Sequence, residues 1–162
     1  MRIFAPVIKI NPFAGRYCYY SEEIPGWRWP ARAADAYAAK EYKGTNPAVV
    51  MGSLLALKPD ATAERLGIRT APGRKLFHVL QDYGAYFTED AHWDAWDLVV
   101  ERDAEKEFER MHGFSMKSAT WRDEINRLVI VLHVIDNNGP QSIGGGGKPR
   151  RPIAPPFKEV TQ

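Results

Sequence analysis

Two spacings of apolar residues alternate along the chain, one near two and one near 3.6. Residues 3–10, "IFAPVIKI", are apolar with few breaks and predict a strand, with Pro6 pushing it to a sheet edge. "NPFAG" is turn chemistry, and "RYCYY" at 16–20 predicts a second strand. Strict alternation there sets Tyr17 and Tyr19 on one face and Cys18 and Tyr20 on the other. "IPGWRWP" is a loop bounded by Pro and Gly, after which Pro30 opens a short alanine-rich helix, "ARAADAYAAKEY", that stops before Gly44. The apolar run 48–59, "AVVMGSLLALKP", is too short and too interrupted for a long helix and predicts a strand. "ATAERLG" after Asp60 is a single turn.

Helical periodicity is clearest over 70–84. Thr70 is a cap, Pro72 suits a first turn, and Leu76, Phe77, Val79, Leu80 and Tyr83 form one apolar face ahead of Gly84. "AYFTE" then predicts a strand. Residues 103–112 predict a charged, exposed helix stopped by Gly113. Residues 120–135 predict another, with Thr120 and Asp123 at capping-box spacing and Ile125, Leu128, Val129, Leu132 and Ile135 on one side. "DNNGP" ends it. This order predicts an α+β domain: a mainly antiparallel sheet or small barrel, two or three helices, and an extended C-terminal arm. The domain spans 1–138 and the arm 139–162.

Composition narrows the function classes. A chain of 162 residues with 44% hydrophobic and 26% charged residues makes one globular domain. The net charge of +2, without a long basic run, argues against nucleic acid as partner. No run approaches the ~20 apolar residues that cross a membrane, so no insertion is expected. Cys18 is the lone cysteine, and with no base or metal ligand near it in sequence it reads as a small core residue.

The tail "SIGGGGKPRRPIAPPF" is not a P-loop, because Pro149 follows Gly147-Lys148 and Ser142 stands where the first glycine belongs. An anion nest beside Lys148, Arg150 and Arg151 is one alternative. The other is a tight turn that leads a polyproline-like arm back onto protein, anchored by Ile153 and Phe157.

"YFTEDAHWDAWDL" gathers Glu89, Asp90 and Asp94 around His92. Carboxyls in contrasting surroundings can do acid–base work, glycoside cleavage included. Trp93 and Trp96 offer flat faces for sugar rings, as do Trp27 and Trp29 in the loop "GWRWP". Arg28 between them, and Arg32, suit carboxylate-bearing sugars. The competing reading makes the carboxylates a solvated loop and the tryptophans core. One His among carboxylates is no zinc pattern, and no metal or cofactor is implied. Ser53 in "MGSLLA" lacks the two glycines of a nucleophile elbow.

The ordered phrases "GWRWPA", "GTNPAVVMGSLLALKP", "LQDYGAYFTED" and "NNGPQSIGGGGKPRRPIAPPF" resemble the C-terminal half of a large group of secreted bacterial proteins of uncharacterised function. The resemblance implies an extracellular or surface location and makes the glycine-rich tail part of the domain. Members of that group carry a signal peptide and a long N-terminal half; the resemblance leaves open whether such a half lies upstream, belongs to a separate chain, or is dispensed with in a copy recruited as a building block. They also carry a His in the first strand, where Pro6 stands here, and this counts against a shared catalytic activity. Three functions follow as expectations. The first is a glycan-binding module without catalysis. The second is a structural subunit of a larger assembly, such as a virion or surface lattice, joined through the arm. The third is a polysaccharide hydrolase or lyase using the paired carboxylates. The expected partners are polysaccharide or other protein subunits.

Overall fold

The computed structural model describes residues 8–10, 18–90, 96–98, 100, 102–148 and 151. The fold is α+β. Strand β1 (Ile8–Ile10) pairs antiparallel with β4 (Trp96–Leu98), Ile8 opposite Leu98 and Ile10 opposite Trp96. A second, three-stranded sheet has the order β3-β2-β5, from β2 (Leu54–Ala56), β3 (Ala85–Tyr86) and β5 (His133–Val134). Both its pairings are antiparallel, with Leu54 opposite Tyr86 and Leu55 opposite Val134. It is an open sheet and not a barrel, because β3 and β5 do not meet.

Among the described residues four α-helices accompany the sheets: α1 (Ala38–Glu41), α2 (Ala71–Asp82), α3 (Ala104–His112) and α4 (Ala119–Val129). Helix α2 packs on both β2 and α4. Its apolar face supplies Leu76, Phe77 and Leu80, and α4 supplies Trp121, Ile125, Leu128 and Val129. With Leu55, Leu57, Ile68 and Phe87 these form one buried core. Fully burying each large side chain contributes about 1.5–3 kcal/mol. The start of α2 is as expected: the Thr70 hydroxyl accepts from Gly73 N at 3.1 Å. Gly113 closes α3 in the left-handed region, at φ 74°.

Four expectations need correction. Helix α4 starts earlier and stops sooner than 120–135. Ser118, not Thr120, is its cap, accepting from Trp121 N at 3.4 Å. The chain then turns into β5, where Ile135 N donates to the Leu54 carbonyl at 2.8 Å. "VLHVI" carries three β-branched residues, Val131, Val134 and Ile135, and pairing on the edge of β2 outweighs further helical turns. The alanine-rich helix contracts to α1; ahead of it Ala31 N donates to the Arg28 carbonyl at 3.0 Å, and the Asp35 carboxylate accepts from the Tyr42 hydroxyl just past α1. The strand over 48–59 contracts to β2, since residues 48–53 close a turn. There the buried Ser53 hydroxyl donates to the Ala48 carbonyl at 2.7 Å and accepts from Val50 N at 3.1 Å. Cys18–Tyr20 joins no ladder; instead Tyr19 N donates to the Val49 carbonyl and Gly44 N to the Cys18 carbonyl. Residues 16 and 17 lie outside the described residues.

The tetraglycine explains itself in dihedral angles. Gly144, Gly145, Gly146 and Gly147 all have positive φ, from 75° to 87°, a run that only glycine adopts without strain. Asn138 accepts from Gly144 N at 2.9 Å, and the Asn137 amide donates to the Gly145 carbonyl. Beyond this turn Arg151 Nε lies 3.7 Å from Asp82 Oδ2 at the end of α2.

Candidate functional site

A cleft of about 320 Å³ opens beside the three-stranded sheet. Pro30, Ala31 and Asp35 form one wall, and Tyr86, Phe87 and Thr88 another. Gly52, also in the lining, joins the two. Its N–H donates to the Phe87 carbonyl at 2.7 Å, and Phe87 N donates to the Ser53 carbonyl at 2.8 Å. On the other side, a Cβ at Gly52 would lie 2.0 Å from the Arg28 carbonyl oxygen and 2.9 Å from Ala31 N. With φ at 84° as well, only glycine lets these walls approach.

Asp35 is the charged group of the lining, and its carboxylate is oriented from behind. The buried Tyr42 hydroxyl donates to Asp35 Oδ2 at 2.6 Å, and Asp35 N donates to the Tyr42 oxygen at 3.3 Å. Burial pushes the Tyr42 phenol far above its ordinary range, and donation to Asp35 raises it further. It therefore stays protonated and stays a donor. The Tyr37 phenol is raised too, first by desolvation and then by the Asp35 carboxylate, with Asp90 and Glu89 adding less.

Beneath Tyr42 lie Cys18, at 0% exposure, and Asp90, at 8%. Asp90 Oδ1 accepts from Cys18 N at 3.3 Å. Burial pushes the Cys18 thiol far above its ordinary value, and the Asp90 and Asp35 carboxylates push it further. This is a protonated, inert thiol. Phenols, thiol and carboxylates thus make one polar network, with Asp90 inside the domain and Asp35 at the cleft.

The residues expected from sequence separate in space. Of the carboxylates, Glu89 is exposed and Asp90 is buried, while Asp94 and Trp93 lie outside the described residues. Trp96 is on β4, opposite Ile10. Trp27 is 38% exposed and Trp29 half-buried, and neither lines the cleft. Arg28 is engaged elsewhere, its Nη2 donating to the Asp136 carbonyl at 2.5 Å. In the arm, Lys148 is exposed and Arg151 meets Asp82, whereas Arg150, Ile153 and Phe157 fall outside the described residues. No group of three or more His, Cys, Asp and Glu that could hold a metal ion occurs among the described residues. Among them, too, no helix is long and apolar enough to cross a membrane.

Sequence reasoning missed Asp35, Tyr37 and Tyr42. The available signal was an acid and two tyrosines inside an alanine-rich stretch, "AADAYAAKEY". It also missed Glu124, which is 3% exposed and reaches from α4 to the start of α2. Its Oε1 accepts from Arg69 N at 2.6 Å and Thr70 N at 2.9 Å, and its Oε2 from the Thr70 hydroxyl. Burial pushes this carboxyl up, but the Thr70 and Arg69 donors and the Arg127 charge outweigh burial and hold it below the usual range. It is a structural clip, remote in role from the cleft.

No protein family, curated protein or solved structure matches the chain.

Proposed function

We propose that the chain is a glycan-binding module whose ligand lies in the cleft between residues 30–35 and 86–88. One observation carries this reading: Asp35 lines the cleft with its carboxylate already oriented by the buried Tyr42 hydroxyl. A carboxylate only accepts hydrogen bonds, and sugar hydroxyls supply donors in fixed directions. A preset acceptor loses little side-chain entropy on binding. Tyr86 and Pro30 add apolar surface to the same walls.

Titration calorimetry of the intact chain with soluble oligosaccharides tests the proposal. Binding should weaken about tenfold in Asp35→Asn, since a hydrogen bond to a charged group is lost. Failure of every glycan to bind, or equal binding by the variant, contradicts it.

A second reading, cleavage of the bound glycan, draws on the contrast between buried Asp90 and exposed Glu89. Such contrast separates an acid from a base. Sugar release that persists unchanged in Glu89→Gln and Asp90→Asn removes both from catalysis.

A further inference from the structure

We infer that the cleft selects sugar units bearing hydroxyl or ammonium donors and rejects uronates, with Asp35 as the selecting group and Tyr42 as the residue that positions it. This deepens, and rests on, the glycan reading above. The Tyr42 hydroxyl occupies one side of the Asp35 carboxylate through a 2.6 Å hydrogen bond. A carboxylate has about four acceptor sites, so others remain for a ligand in the cleft that Asp35 lines. A hydroxyl or an ammonium satisfies them. A uronate carboxylate brings only acceptors and a like charge, and like charges at close quarters repel.

The surrounding groups reinforce the sign. Glu89 and Asp90 add negative charge near Tyr37. Arg28 is bound to the Asp136 carbonyl. Exposed Arg32 lies between two cleft-lining alanines but does not itself line the cleft. Neither arginine lines the cleft, and the charge of its lining is Asp35.

Calorimetry of the intact chain with oligomers of glucosamine, N-acetylglucosamine and galacturonic acid, at one pH and one salt concentration, tests the inference. Affinity should fall in that order, with at least about tenfold between the first and last. Asp35→Asn should compress the series to near equality. Tyr42→Phe should weaken the glucosamine oligomer several-fold, yet change nothing further in the Asp35→Asn background, because a positioning residue acts through the group it positions. Uronate binding as tight as glucosamine overturns the selectivity and leaves the glycan reading standing. Absence of binding by all three overturns both. An equal Tyr42→Phe effect in the two backgrounds overturns the positioning role.

Discussion

Glu124 accepts from three donors at the point where α2 begins, and a carboxylate there also meets the favourable end of the helix dipole. Gly73 leaves room for it, since a Cβ at that position would lie 2.1 Å from Glu124 Oε2. The pH dependence follows in sign. The folded carboxyl titrates below its ordinary 4.5, so the clip's stabilisation is complete above that value. It is lost as pH falls through the lower folded value. Glu124→Gln should therefore cost about 2 kcal/mol at pH 7 and flatten the acid limb of stability against pH, as read by urea unfolding. An unchanged acid limb would assign acid sensitivity to other groups. Cys18 gives a second prediction at this scale. Buried and protonated, it should react with a maleimide only on unfolding, at least a hundredfold more slowly than a free thiol peptide. Rapid labelling of the native chain would contradict the network around Tyr42.

Elements were legible where local chemistry and burial agree. Helix α2 carries its cap, its first-turn proline and its apolar face in sequence, and it forms nearly as expected. The stretch after α4 was not legible, because Leu132 and Ile135 continue a helical stripe while also fitting an alternating strand. The edge of β2, remote in sequence, decides between them. The same holds at the cleft. Asp35 and Tyr42 read as parts of one alanine-rich helix, but α1 covers only Ala38–Glu41, and the two meet through a side-chain hydrogen bond. The facing wall, residues 86–88, is remote in sequence and is joined at Gly52, so the cleft could not be read from spacing. The tetraglycine turn yields a graded test. A Cβ at Gly145 would fall 2.5 Å from Ile135 Cγ2, whereas one at Gly147 meets nothing within 4 Å, and φ is positive at both. Gly145→Ala should cost about 2–3 kcal/mol and Gly147→Ala about 1 kcal/mol in thermal unfolding. Equal costs would mean that the turn does not pack against Ile135.

At the scale of the whole molecule, one core built on α2 and α4 supports the cleft wall at Phe87, and Arg151 pairs with Asp82 at the end of α2. The ion pair between Arg151 and Asp82 lies within the chain, so deleting residues 149–162 should leave the number of chains per particle from light scattering unchanged while lowering the melting temperature. Fewer chains per particle would move the arm into an assembly role. The cleft itself carries the account, and its most direct test is residue by residue. In a nuclear magnetic resonance titration with a glucosamine oligomer, the amides of Asp35, Gly52 and Thr88 should shift together and saturate at one concentration. Shifts that leave those three amides still and gather elsewhere would contradict it.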